Sequence, residues 1–91
     1  MAIVKNIRGS SDNMPLAGYS SWKEFWENNK HRRFSQCSCI TCTNRAEVGG
    51  HVKKVNGSNE WYIVPICYYH NAPSNVAPYE VADSDLLRVS L

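Results

Sequence analysis

The sequence lacks any long hydrophobic run. No apolar stretch approaches the roughly 20 residues that a membrane-spanning helix requires, and the first residues contain no apolar segment like that of a secretory signal peptide. Internal repeats, low-complexity tracts and long linkers are also missing, so residues 1–91 are expected to form a single domain. These absences favour a cytoplasmic protein without membrane contact, in a compartment where thiols stay reduced.

The chain is also short for a domain that depends on its hydrophobic core alone. A domain of 91 residues buries only about 60–65% of the surface that its unfolded chain exposes. An apolar fraction of 43% and an aromatic fraction of 11% nevertheless exclude a disordered chain. We therefore expect a folded domain that needs an additional stabilising element, and the four cysteines are the candidates.

The net charge of +2 conceals a difference between the two halves of the chain. Residues 1–54 contain nine Lys or Arg and four Asp or Glu, a net charge of +5, whereas residues 55–91 contain one and four, a net charge of −3. A basic half is suited to contact with a polyanion such as DNA or RNA, although a solvated surface explains the same charges. The residues that we predict to contact the polyanion are Lys30, Arg32, Arg33, Arg45, Lys53 and Lys54.

Residues 21–31 are predicted to form a helix. Ser21 and Glu24 fit the capping box, in which the Ser hydroxyl accepts a hydrogen bond from the Glu amide and the carboxylate reaches back. Trp22, Phe25 and Trp26 have the spacing of one helical face, so this aromatic stripe is expected to pack on the core.

Short strands account for most of the remaining predicted structure. An Asn-Gly dipeptide at positions 56–57 separates two β-prone runs and is typical of a hairpin loop. Pro65 is expected to end the second run, and turn residues over 9–15 are expected to end the first strand of the chain. The predicted strands are 3–8, 51–55, 60–64, 79–81 and 86–89.

Two pairs of candidate metal ligands each have a two-residue spacer. Cys39 and Cys42 form the first pair, Cys67 and His70 form the second, and 24 residues lie between the pairs. This spacing is typical of tetrahedral zinc sites, because a two-residue spacer lets both side chains of a tight turn point at one ion. Cys37 is the alternative to Cys39, since a four-residue spacer before Cys42 also occurs at zinc sites.

Three thiolates and one imidazole would fill all four positions around the ion. No position remains for a catalytic water, so the zinc is predicted to be structural. Its binding free energy would become folding free energy, because the unfolded chain has no preformed site. Tyr68 and Tyr69 lie between the ligands of the second pair and are expected to shield the zinc sulfurs.

A zinc knuckle, a hairpin and a second ligand pair at the start of a short helix together resemble a treble clef. The segments GGHV at 49–52 and ICYYHN at 66–71 resemble the HNH, or ββα-metal, endonucleases, and are closest in pattern to the HNN-type phage endonucleases. The resemblance covers about residues 37–75. It implies an α+β fold, a small zinc-stapled treble clef with an added N-terminal strand and helix.

The resemblance also implies roles for individual residues. His51 would be the general base that activates water, Asn71 would help to hold a catalytic Mg²⁺ or Mn²⁺ ion, and Asn56 or Asn59 would orient the base. The family usually has Asp or His directly before the base, where this chain has Gly50. Glycine has no ligand atom, so we expect little or no cleavage and favour a structural or binding role for His51.

The predicted function is nucleic-acid binding by a structural-zinc domain that is a divergent or degenerate HNH-type endonuclease. The alternative is a small zinc-stapled module that binds another protein and has no catalytic activity. Basic residues clustered on the face of His51 would favour nucleic acid. A large exposed apolar patch without charge would favour a protein partner.

Overall fold

Five strands and two helices make up the regular structure of the described residues. The computed structural model describes residues 1–7, 19–57, 60–72 and 74–89. The strands are β1 (Ala2–Asn6), β2 (Val48–Lys54), β3 (Trp61–Ile66), β4 (Tyr79–Val81) and β5 (Leu87–Val89). The helices are α1 (Trp22–Lys30) and α2 (Tyr68–Asn71), and a 3₁₀ turn, Asp83–Asp85, joins β4 to β5. Neither helix is long and apolar enough to span a membrane.

The strands form one antiparallel sheet in the order β4-β1-β2-β3-β5. β2 and β3 form the central hairpin, in which Gly50 pairs with Val64 and His51 with Ile63. The hairpin predicted from the sequence is confirmed. β2 begins three residues before and ends one residue before the predicted strand, and β3 begins one residue after and ends two residues after it. Arg8, the turn over 9–15 and Asn59 of the hairpin loop lie outside the described residues.

Pro65 does not end β3, contrary to the prediction. It pairs with Gly49, and the strand continues to Ile66. Proline has no amide hydrogen, so it is tolerated in a strand where no ladder needs that donor. In the described part of the chain β5 pairs with residues 61–63 of β3 and not with Pro65, so no hydrogen bond to β5 is lost there.

The helix α1 begins and ends close to the predicted positions. Its N-cap is Ser21, whose hydroxyl accepts a hydrogen bond from the amide of Glu24 at 3.1 Å. Its C-cap is His31, which adopts the left-handed conformation with φ of 57° and so turns the chain out of the helix. Phe25 and Trp26 of the predicted aromatic stripe are buried.

The two faces of the sheet bury different side chains. Alternate residues of a strand point to opposite faces, and α1 covers one of them, which we call the helix face. The core of the helix face contains Phe25, Trp26, Phe34, Ala46, Ile63 and Val89. We call the opposite side the cysteine face, because there Val4, Val52, Val64 and Ile66 pack with the four cysteines.

Candidate metal centre

Residues 34–47 fold into a short antiparallel knuckle next to the sheet. The amide of Cys37 donates to the carbonyl of Asn44, and the amide of Ala46 donates to the carbonyl of Ser35, both at 2.8 Å. The chain reverses direction over residues 38–43, which these two hydrogen bonds enclose, and Cys37 is thereby brought close to Cys42. The knuckle thus supplies two candidate ligands from one turn.

The start of α2 supplies the other two candidate ligands. Cys67 is the N-cap residue of this helix, and His70 lies one turn later. Residues three positions apart lie on the same side of a helix, so both side chains face the knuckle.

Cys37, Cys42, Cys67 and His70 form one group that can hold a metal ion. Their ligand atoms all lie within 4.8 Å of one another. The Sγ atoms of Cys42 and Cys67 are 3.9 Å apart, and Nδ1 of His70 lies 3.7 Å from Sγ of Cys37 and 3.3 Å from Sγ of Cys67. Tetrahedral zinc at its usual bond lengths would separate two sulfurs by about 3.8 Å and a sulfur from a nitrogen by about 3.5 Å. The group is therefore compatible with zinc in both size and donor type.

The structure places Cys37 in this group, which corrects the first choice of Cys39. The backbone of Cys39 forms a β-bridge with Val81 of β4, and its side chain is not part of the close group of ligand atoms. Its Sγ lies 3.4 Å from the hydroxyl of Thr41, and its side chain is buried in the core. The observed group therefore contains the pair with the four-residue spacer, Cys37 and Cys42.

Burial and hydrogen bonding act differently on the thiols of the group. Burial raises the pKa of Cys37 to about 12. Burial also acts to raise the pKa of Cys67, but hydrogen bonds from His70 and Asn44 outweigh it and lower that pKa to about 6. Cys67 therefore ionises before Cys37, and binding of a divalent metal would displace the proton of Cys37.

Further donors surround the sulfur atoms. The amide of Cys67 donates to Sγ of Cys37 at 3.4 Å, and the side-chain amide of Asn44 lies 3.8 Å from Sγ of Cys67. Such outer donors orient metal ligands and stabilise thiolates. Tyr68 and Tyr69 do not shield the sulfurs, contrary to the prediction, because their side chains are 63% and 73% exposed.

The structure does not bring together the catalytic residues that the family resemblance implies. A Cβ atom on Gly50 would lie 3.3 Å from Oδ1 of Asn71, so Asn71 lies on the cysteine face. His51 is the next residue of β2 and points to the helix face, where its ring contacts Trp22. The sheet therefore separates His51 from Asn71, and one metal ion cannot contact both.

His51 is instead part of an aromatic cluster under α1. Its side chain is only 6% exposed, and its ring lies 4.7 Å from Trp22 and 5.9 Å from Trp61, centroid to centroid, in edge-to-face arrangements. Its buried Nε2 has no hydrogen-bond partner among the residues that the structure describes. Burial lowers the pKa of His51, because these rings offer no counter-charge to an imidazolium ion.

This environment predicts a pH dependence of stability. The unfolded chain binds a proton at His51 below a pKa of about 6.5, whereas the folded chain binds it only at lower pH. The free energy of unfolding should therefore fall as the pH falls below about 6.5, by up to about 1.4 kcal/mol per pH unit. Denaturant titrations at saturating zinc should show a smaller loss of unfolding free energy between pH 7.5 and pH 5 in His51→Phe than in the unchanged protein.

The two proteins differ only at position 51, so the difference between their pH profiles isolates His51. Parallel pH profiles for the two proteins would contradict this account of His51.

The predicted basic residues lie on several elements and on both faces of the sheet. Arg32 donates to Oδ1 of Asp85 at 2.7 Å, and its guanidinium lies over Trp26. Lys53 lies on the helix face, whereas the ammonium of Lys54 lies over the ring of Tyr62 on the cysteine face. Lys30 lies in the last turn of α1. Arg33 follows this helix, and Arg45 pairs with Gln36 in the knuckle.

Sequence reasoning missed Lys5. β1 places this exposed residue directly opposite Lys53 of β2. The pairing of two strands so distant in sequence gives no local signal, so only the observed register identifies the pair.

Comparison of the chain with protein-family models, curated proteins and solved structures finds no match. Function therefore has to be inferred from the residues of the site.

Proposed function

We propose that Cys37, Cys42, Cys67 and His70 bind one structural zinc ion in a treble clef of the HNH-like kind. The observation that carries this proposal is the closeness of the four ligand atoms, which all lie within 4.8 Å of one another. Three of their separations, 3.3, 3.7 and 3.9 Å, are close to the edges of a zinc tetrahedron. The order of knuckle, β2-β3 hairpin and α2 along the chain also supports it. Zinc held by four protein ligands joins the knuckle to α2 and leaves no position for a reacting water.

We further propose that this domain binds DNA or RNA without cleaving it. The net charge of +5 on residues 1–54 supports contact with a polyanion. The separation of His51 from Asn71 by the sheet argues against a nuclease centre.

The opposed lysines of β1 and β2 are the strongest candidate for a phosphate contact. Lys5 and Lys53 are register partners, and like charges in this arrangement repel each other and destabilise the sheet. Neither lysine forms an ion pair with any described residue. A nucleic-acid phosphate near both ammonium groups would relieve the repulsion. Glu80, the acidic residue of the neighbouring β4, is opposite Ile3 in the register and not opposite Lys5.

The double variant Lys5→Gln/Lys53→Gln is expected to weaken nucleic-acid binding and its salt dependence. Loss of two phosphate contacts should reduce the slope of log affinity against log salt by up to about two units. Fluorescence anisotropy of labelled single-stranded and duplex oligonucleotides, titrated at several KCl concentrations, measures this slope.

A control variant removes the same charge elsewhere. Lys23→Gln/Arg88→Gln changes one lysine beside Phe34 and one arginine paired with Glu60. This variant should keep most of the slope. An equal loss in both variants would contradict a contact at Lys5 and Lys53, and absence of binding at low salt would contradict the nucleic-acid proposal.

Exposed apolar side chains near the metal centre favour a second candidate function, binding of a protein partner. Tyr68 and Tyr69 project from α2, and Ile40 in the knuckle is 44% exposed. Exposed aromatic side chains of this kind are common in protein interfaces. The salt titration separates the two candidates, because a protein interface formed by these residues does not depend on Lys5 or Lys53.

A further inference from the structure

The backbone carbonyl of His70 lies at the end of a helix of only four residues. The last carbonyls of a helix have no partner within that helix. Two side-chain amides donate to this carbonyl, Nδ2 of Asn6 at 2.6 Å and Nδ2 of Asn75 at 3.0 Å. Side chains from β1 and from the segment after α2 therefore bind the backbone of His70, a candidate metal ligand.

The side chain of Asn6 has hydrogen bonds in three directions. Besides the His70 contact, its Nδ2 donates to the carbonyl of Asn75 at 3.3 Å, and its Oδ1 accepts from the hydroxyl of Tyr79 at 2.7 Å. The ring of Tyr79 lies 5.4 Å from the ring of His70. Only an amide donates to two carbonyls and accepts from a hydroxyl in this way, since a carboxylate has no donor and an apolar side chain has neither group.

We propose that Asn6 is a positioning residue of the metal centre. It touches no ligand atom and is separated from His70 by 64 positions in the chain. Its amide fixes the carbonyl of His70, and with it the turn of α2 that directs Nδ1 toward the sulfurs of Cys37 and Cys67. This inference rests on the proposed zinc centre. Outer groups that orient metal ligands typically change metal affinity by 10- to 100-fold.

The test compares metal binding by Asn6→Ala with binding by the unchanged protein. Competition against a chromophoric chelator measures zinc affinity, stopped-flow transfer to the chelator measures the zinc dissociation rate, and the d–d absorption of bound Co²⁺ reports ligand geometry. Asn6→Ala is expected to lower zinc affinity by about 10- to 100-fold, to accelerate dissociation and to alter the Co²⁺ bands. Asn6→Asp should lower the affinity further, because a carboxylate repels the two carbonyls.

Asn29→Ala is the matched control. Nδ2 of Asn29 also donates to a helix carbonyl, that of Phe25 at 2.8 Å, but in α1, away from the metal centre. This control should leave the affinity, the dissociation rate and the Co²⁺ spectrum unchanged.

The outcomes separate the two proposals. If the unchanged protein binds no zinc, the zinc centre and the positioning role both fail. If it binds zinc and Asn6→Ala behaves like Asn29→Ala, the zinc centre stands and the positioning role is overturned. Should Asn6→Ala not fold, Tyr79→Phe decides the question, because it removes only the hydroxyl that orients the Asn6 amide. Faster zinc dissociation in that variant supports the role, and an unchanged rate overturns it.

Discussion

Removal of zinc is expected to unfold this domain. The proposed ion joins the knuckle to α2, and its four ligands pack against the core of the cysteine face. Apparent binding free energies of structural zinc are about 10–16 kcal/mol, as large as the total stability of a typical domain, about 5–15 kcal/mol. A strong chelator should therefore abolish the near-ultraviolet circular dichroism of the tryptophans, and elemental analysis should find about one zinc per chain before chelation. A metal-free protein that keeps this signal would contradict the proposal.

Single cysteine substitutions test which cysteines bind the zinc. Cys37→Ser, Cys42→Ser and Cys67→Ser should each lose zinc and fail to fold, because a serine hydroxyl does not replace a thiolate ligand at neutral pH. Cys39→Ser is the matched control, since Cys39 is equally buried but its nearest polar neighbour is the hydroxyl of Thr41. The control should keep one zinc and lose about 1–3 kcal/mol of stability at most. Zinc loss in Cys39→Ser with retention in Cys37→Ser would reverse the ligand assignment.

The features that the sequence predicts best depend on neighbouring residues. The Ser21 hydroxyl caps the amide of Glu24 within four residues, so the start of α1 is encoded locally. The Glu24 carboxylate accepts from the amide of Ser20 at 3.2 Å, one residue before the position that the capping box predicts. The pair Cys67 and His70 is likewise set by one helical turn. The N-cap at Ser21 and the closeness of the Cys67 and His70 side chains are confirmed, and both depend on neighbouring residues alone.

The choice between Cys37 and Cys39 shows where local reasoning ends. Both spacers before Cys42 suit zinc. What differs between the two cysteines is a tertiary contact, because the backbone of Cys39 pairs with Val81 of β4. Val81 lies 42 positions after Cys39 in the chain, so no short motif contains this information.

The position of His51 depends on tertiary structure in the same way. Alternation along β2 predicts that Gly50 and His51 face opposite sides, but it does not predict which side a helix covers. Packing of α1 places Trp22 against His51 and buries it. A histidine that resembles a catalytic base in sequence therefore becomes a core residue in the fold.

The substitution Gly50→Asp is expected to destabilise the protein strongly. A Cβ atom at this position would lie 2.2 Å from Cδ1 and 2.8 Å from Cγ1 of Ile66, a fully buried side chain. Overpacking of a core typically costs about 1–3 kcal/mol, and a carboxyl group at this buried position adds the cost of burying a polar group. Together these effects should lower the free energy of unfolding by at least about 3 kcal/mol, measured by denaturant titration at saturating zinc.

Gly50→Ala is the control that separates the two costs. It adds the same Cβ atom without the carboxyl group, so it should show only the steric part. The further loss in Gly50→Asp then reports the buried carboxyl group. Equal stability of Gly50→Asp and the unchanged protein would show that Ile66 moves aside easily and that the site has room for a ligand.

The same variant tests whether a nuclease centre needs only its missing ligand. In the HNH-like families an acidic residue or histidine before the base holds the catalytic metal, so Gly50→Asp would restore cleavage if the rest of the centre were intact. The structure predicts no cleavage of single-stranded, duplex or branched DNA with Mg²⁺ or Mn²⁺. The reason is that an Asp at position 50 would face Asn71 on the cysteine face while His51 stays under α1 on the other side of the sheet. Cleavage by Gly50→Asp that His51→Ala abolishes would show instead that the sheet does not keep these residues apart. Continued inactivity, with zinc still bound, would be the behaviour expected of a fold that binds without catalysing.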